Sequence, residues 1–308
     1  MGREEVILDC LRDLLAQNHK GCEHLVILQG PDSALIANRI KGLFGDAVRT
    51  FILDVPNASM ARNIGLIEAR GKIALFLDDD VRIRNPNFTA NHLRNYADPT
   101  VPGVYGQVLE IGQQPVRHPP RSVIETDWGW AFLPPNYSLR CRTRNGGSGN
   151  LSVRREWAIA VGGMDAWFER GARREETEFN LRLTRRYGPL IFDPEAGLVH
   201  LSAGGGSRMW GHITHTVPQH HIVGHWYFFL RTIFDRTSRA RGVLRELKHI
   251  AIALIKNPQR GKSIWMLIRN TLRAIWGLGI AFVCSIRGPR RIDTLDANCY
   301  REIPAGTP

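Results

Sequence analysis

Apolar residues recur along the first ninety positions in two alternating rhythms. In EEVILDCLRDLLAQ, Val6, Leu8, Leu11, Leu14 and Leu15 stand at helical spacing, which predicts an amphipathic helix near the start of the chain. HLVILQG is a short apolar run closed by Gly30 and Pro31, the pattern of a buried strand. SALIANRIKGLF returns to helical spacing and VRTFILDV to a strand. NASMARNIGLIEARG follows as a helix, with Asn57 or Ser59 as its N-cap and Gly71 as its stop. KIALFLDDD is a third strand. Strands alternating with helices predict parallel βαβ units joined by right-handed connections.

The texture changes between about 96 and 145, where Pro and Gly are frequent and a strand such as GVYGQVLEI is irregular. RREWAIAVGG and REETEFNLRLTRRYG then read as helices, and LIFDPEAGLVHL as a strand. Beyond Gly204 the pattern is helical and basic, with no internal repeat and no Pro/Ser-rich linker.

Charge sharpens that division. The 308 residues carry a formal charge of +12, and Arg231 to Arg291 alone hold 14 Lys/Arg against 2 Asp/Glu, so the remainder is neutral. This predicts an ordinary globular domain over 1–215 and a basic region over 216–308. The five cysteines are scattered, without zinc-site or disulfide spacing, and are expected as reduced thiols. MGREEVILDC contains no apolar run of signal-peptide type, so a cytoplasmic location is expected.

The stretch FLDDD raises the chemical question. Ligands of open parallel sheets bind beyond the carboxyl ends of strands, and Asp78, Asp79 and Asp80 occupy such an end. Carboxylates are natural ligands of Mg²⁺ or Mn²⁺, and such an ion would offset the crowded charge and bridge to a diphosphate. An acidic loop capping the next turn is the alternative.

ARNIGLIEARGKIALFLDDDVRIRNPNFTANHL resembles the central segment of inverting family 2 glycosyltransferases. GGSGNLSVRREWAIAVGGMDAWFERGARREETEFNLRLTRRYG and IFDPEAGLVHL resemble two later blocks of that family, in the same order. The resemblance spans residues 5 to 210 or so. It implies a GT-A fold, a Rossmann-like and mostly parallel sheet flanked by helices, with the basic helical extension behind it. It also implies a nucleotide-sugar donor and Mn²⁺ or Mg²⁺. Asp78 and Asp80 would form the metal-binding pair, with Asp80 the more direct ligand, and Asp78 and Asp79 would face the ribose and sugar. His200 stands where a further metal or diphosphate contact falls, or is a hydrogen-bonded histidine at a strand end.

Inversion needs a carboxylate to deprotonate the acceptor hydroxyl. The family's acidic pair corresponds to Glu175-Glu176, with Glu176 in the place of the base; a solvated helix N-terminus favoured by the dipole is the alternative. Donor binding is expected to involve Asp32, Arg62, Gly149 and Asn150, with Arg208 in a Gly-rich lid neutralising the diphosphate. Trp128 and Trp130 would stack on a sugar or lie in the core. Family members normally open with a strand that this chain lacks ahead of its first helix, which predicts an unpaired sheet edge and suggests a start placed too late.

Beyond Arg231, Ala274 to Ile286 is the longest uncharged stretch, 13 residues against the roughly 20 a spanning helix needs. Arg, Lys and Trp beside apolar faces predict helices lying on an anionic membrane surface at the inner face of the cell membrane. Packing on the catalytic domain is a second reading, and nucleic acid a weaker third that the interleaved bulky apolar residues disfavour. The expectation is a metal-dependent inverting transferase acting on a glycan or lipid-linked acceptor in surface or exopolysaccharide synthesis. The rivals are a degenerate transferase-like glycan- or membrane-binding protein, and a nucleotidyltransferase, for which a Gly-rich phosphate loop is missing. Donor, nucleotide and acceptor identities are not legible at this level.

Overall fold

The computed structural model describes residues 3–117, 133–169, 173–203, 218–234 and 264–304, with Leu244, Leu247, Lys248 and Ile250. The alternating elements form where the apolar rhythm places them. They are α1 (Arg3–Leu15), β1 (His24–Gln29), α2 (Ser33–Phe44), β2 (Val48–Leu53), α3 (Ala58–Glu68) and β3 (Ile73–Leu77). Of the two N-cap choices for α3 the chain uses Asn57, whose side chain accepts from the Met60 amide at 3.0 Å. After β3 come β4 (Val81–Arg82), α4 (Phe88–Arg94), β5 (Gly103–Glu110), β6 (Cys141–Thr143), β7 (Asn150–Arg154) and α5 (Arg155–Ala160). Then follow α6 (Glu175–Tyr187), β8 (Leu190–His200), α7 (Gln219–Phe234), α8 (Ile264–Arg287) and β9 (Tyr300–Glu302).

The strands make two sheets flanked by helices, ordered β1-β2-β9 and β3-β7-β5-β8-β4, with β6 added on β8. The α/β class stands as expected, but the pairing is mixed: β1–β2 and β5–β8 are parallel, and the other described pairs are antiparallel. β4, β7 and β9 each enter their sheet from a loop rather than through a helical crossover, which accounts for four of the five antiparallel pairs.

Alternate residues of a strand face opposite ways, and the two sheets share the helices on both faces. Val26 and Leu28 of β1 pack with Leu8 and Leu11 of α1, while Leu75 and Leu77 of β3 pack with Cys10 and Leu14 of the same helix. On the other face Leu25 and Ile27 meet Met60 and Ile64 of α3, and Phe76 meets Leu66. α1 and α3 therefore clamp β1 and β3 between them. Among the described strands β1 pairs only with β2, and β3 only with β7. The expected unpaired edge is present, and it shows in burial: β1 and β3 are mostly half-buried whereas β2 is almost wholly buried.

The chain beyond α8 returns to the body of the domain. Ile292 donates to Gly162 O at 3.1 Å, Ala166 to Arg290 O at 2.7 Å, and the Trp167 indole to Gly288 O at 2.7 Å. β9 then pairs with β2, and the Tyr300 hydroxyl donates to Glu68 at 2.6 Å.

Candidate active site

β3 ends inside the domain, and its register decides what the next residues meet. Leu77 pairs with Asn150, so the Asp78 amide faces the Gly149 carbonyl at 3.3 Å. A Cβ on Gly149 would lie 2.4 Å from Asp78 Oδ2, so only glycine leaves room for that carboxylate. Gly149, expected at the donor, thus stands against Asp78. Asn150 is fully buried: its Nδ2 donates to Gln107 O at 3.0 Å and Ala196 O at 2.9 Å, and its Oδ1 lies 2.9 Å from His92 Nε2. It braces β5, β7 and β8 from within. A Cβ on Gly106 would meet Asn150 Nδ2 at 2.3 Å, which accounts for the irregular glycine in β5.

Asp80 directly precedes β4, and its carbonyl accepts from Leu201 at 2.8 Å while its Oδ2 accepts from the Ala203 amide at 3.1 Å. β4 and β5 both pair with the end of β8, setting His200 opposite Val81 and Glu110. His200 Nε2 lies 3.1 Å from Asp80 Oδ1, and Nδ1 lies 3.2 Å from Glu110 Oε1. The hydrogen bond to Asp80, opposed by burial and reinforced by Glu110, raises the imidazole to about 9. Ser202, in the left-handed region at φ 49°, turns back to donate to Glu110 Oε2 at 2.5 Å. Ligand atoms of Asp78, Asp80 and His200 all lie within 4.8 Å of one another. Two carboxylate oxygens and one imidazole nitrogen, crowded at a strand end, form a donor set that fits a divalent cation. Asp79 also acts on α1: with burial as the larger cause, its charge helps to push the Cys10 thiol up to about 12.

The second acidic group opens α6, where Glu175, Glu176 and Glu178 all fall in the first turn and favour the helix dipole. Arg174 before it is held at φ 83° with its guanidinium over the Phe228 ring. Glu178 is buried, but Arg182 at 2.6 Å and Arg291 at 3.2 Å outweigh the burial and lower its carboxyl. Glu175 has one arginine, Arg62 at 3.0 Å, and its Oε2 is buried without a hydrogen-bond partner. Burial, opposed by Arg62, lifts it to about 8. Glu176 is half-buried and also raised, chiefly by burial. Its charge reaches Tyr105, whose phenol oxygen is hydrogen-bonded by the Gly147 backbone.

Arg62 joins the two groups. Its other nitrogen lies 3.5 Å from Asp78 Oδ1, so one guanidinium spans from the strand end to the start of α6. Burial works against its charge, and Glu175, Asp78 and Glu176 more than compensate. The neighbouring Asn63 holds the GGMD turn on the same side, donating to Met164 O at 2.8 Å and accepting from Met164 N at 2.7 Å.

The family model described as Glycosyl transferase family 2 matches residues 1–162. The chain belongs to glycosyl transferase family 2. Its GT-A fold is similar to that of the mannosyltransferase PcManGT from Pyrobaculum calidifontis, solved in complex with GDP-Man and Mn²⁺. The two are 16% identical with a TM-score of 0.54, over 92% of this chain and 76% of that one. It is also similar to S. aureus TarS 1-349, 11% identical with a TM-score of 0.55, over 93% of this chain and 89% of that one. No curated protein matches the chain in sequence.

In this glycosyltransferase the expected residues divide. Asp78, Asp80, His200, Arg62, Gly149, Glu175 and Glu176 are drawn together, directly or through Arg62. Asp32 is exposed at the start of α2, and Asn150 is internal. Arg208, Trp128, Trp130 and the Gly-rich lid lie outside the described residues. Glu110 and Ser202, which hold the far side of His200, and Arg291, which pairs with Glu178, were not singled out in sequence. Glu110 closes an apolar strand and so carried a local signal; the other two carried none.

Proposed function

We propose that the transferase moves a sugar from a nucleotide-sugar donor to a glycan or lipid-linked acceptor, with inversion at the anomeric carbon. The observation that carries the reading is Arg62: it links the metal-type cluster to the acidic start of α6, with Asp78 and Glu175 3.5 Å and 3.0 Å from its two nitrogens. Asp78, Asp80 and His200 would hold Mn²⁺ or Mg²⁺, which supplies positive charge to the donor diphosphate when bound. Glu176 takes the acceptor hydroxyl proton as that oxygen bonds to the anomeric carbon from the face opposite the diphosphate. The bond to the diphosphate oxygen breaks and its electron pair leaves with the nucleotide. A half-buried carboxylate with a raised pKa is suited to taking that proton. Glu175, tied to Arg62, keeps the guanidinium in place between the two sides.

We further propose that the basic region 216–308 brings the enzyme to an anionic membrane surface at the cytoplasmic face, in the service of surface polysaccharide synthesis. Donor turnover assayed with a panel of nucleotide sugars tests the reading: it should require Mn²⁺ or Mg²⁺ and vanish on chelation. The product anomer, read by NMR, should be opposite to the donor's. Metal-independent turnover, or retention, overturns it.

A further inference from the structure

We infer that one face of α8 is the membrane-docking surface, lying in the plane of an anionic bilayer. The inference rests on the membrane reading above and adds the element, the face and the geometry. Trp265, Ile268, Leu272, Ile275, Trp276 and Ile286 are between 43% and 75% exposed. At about 100° per residue these six fall within a sector roughly 100° wide. Sequence distance hides the sector, because Arg269 and Arg273 interrupt the apolar run; the helix places both outside it. Arg269 and Arg287 share one angular position, about 20° beyond Trp276, and so border the apolar stripe along one side. No acidic residue occurs from Ile264 to Arg291, whereas five arginines do. An apolar stripe edged by arginine, with tryptophans near the edge, complements anionic headgroups over acyl chains. A second copy of the chain would gain the apolar contact but would bring like charges together. From Trp265 to Ile286 the stripe runs about 32 Å, far beyond the scattered apolar residues of an ordinary surface.

By length and composition Leu267–Arg287 could cross a membrane, with a mean hydropathy of 1.3. Its surroundings oppose that. The opposite face is covered by protein: Ala274, Ala281, Cys284 and Ser285 are buried, and Ala281 and Cys284 pack with Tyr227 and Phe228 of α7. Arg273 exchanges hydrogen bonds with Gln219, at 3.0 Å to its carbonyl and 3.2 Å from its Nε. A spanning helix would expose that arginine and the covered face to lipid. Just past the helix, the Arg290 amide donates to Asp165 at 3.1 Å and the Arg291 guanidinium pairs with Glu178 at 3.2 Å. A bilayer that holds α8 therefore holds the start of α6, and with it Glu176, at a fixed height and tilt. That placement suits an acceptor presented at the membrane surface.

The test is flotation of the full chain with vesicles of phosphatidylcholine containing phosphatidylglycerol, in low and high salt. The unmodified protein should float, less so in high salt. Leu272→Glu with Trp276→Glu should lower the floated fraction at least tenfold, with melting temperature and metal-dependent donor hydrolysis unchanged. Brominated lipid should quench tryptophan fluorescence in the unmodified protein, and Trp265→Phe with Trp276→Phe should remove most of that quenching; this arm needs no disruptive variant. Failure of the unmodified protein to float overturns the membrane reading itself. Equal flotation of both proteins overturns only the assignment to α8. A dimer that the glutamate variant dissociates assigns the face to a second copy, and resistance to alkaline carbonate assigns a spanning helix; either overturns in-plane docking.

Discussion

Glu175 and Glu178 stand three residues apart on one helix, both buried, yet their carboxyls shift in opposite directions. Glu178 has two arginines and every reason to stay ionised; Glu175 shares a single arginine with Asp78 and keeps one oxygen without a hydrogen-bond partner. Burial penalises both charges alike, so the count and sharing of cations decide. The same contrast separates the two acidic clusters. Asp80 has a histidine that an incoming cation can replace as its counter-charge, whereas Glu178 is locked by guanidiniums that nothing displaces. One acidic cluster is therefore suited to exchange partners and the other to hold the fold.

The largest effect should come from the exchangeable side. Asp80→Ala is expected to leave no metal-dependent turnover and no Mn²⁺ binding by titration, while the chain stays folded, since a crowding charge has been removed. Next, Glu176→Gln should lower kcat by about 10²- to 10⁴-fold with donor binding little changed. A greater loss in Glu175→Gln would transfer the base to that residue. On the locked side, Arg291→Ala should destabilise by about 2–3 kcal/mol, near the low end for breaking a buried pair, because the Arg291 side chain keeps 20% exposure and Arg182 remains on Glu178. Denaturant unfolding measures it, and an unchanged midpoint would remove the distinction between the two clusters.

Glu110→Gln removes an oxygen acceptor behind His200 without touching the cluster itself. Mn²⁺ affinity should fall about tenfold, the lower bound for a partner that orients a metal-binding histidine, with the melting temperature in chelator unchanged. A separate contrast lies in pH dependence. Glu175 titrates higher folded, at about 8, than in the unfolded chain. It therefore binds its proton more tightly when folded, and its contribution is complete below the unfolded value and lost as pH rises through about 8. Stability relative to Glu175→Gln should fall over that window, by at most about 1.4 kcal/mol per pH unit. A flat difference would show that Arg62 keeps the carboxylate ionised.

What could be read from the chain alone was what short-range physics writes into it. The helical spacing of α1 to α3, the apolar runs of β1 to β3 and the cap at Asn57 depend on neighbours within a few residues. So does the placing of the three aspartates past the end of β3. The exposed strand edge was expected from the family resemblance rather than from local spacing. The rest needed contacts across the chain. Glu110 meets His200 only because β5 and β8 pair in that register, and Gly149 matters only because β7 sets it against Asp78. Asn150, expected at the donor, is drawn inside because backbone carbonyls of β5 and β8 and the His92 ring of α4 surround it. Arg291 reaches Glu178 across 113 residues, and no local pattern encodes that pairing. In α8 the sequence contained the whole apolar stripe, but which face protein covers was decided by α7, since a helix repeats its periodicity without naming the side its neighbours will take.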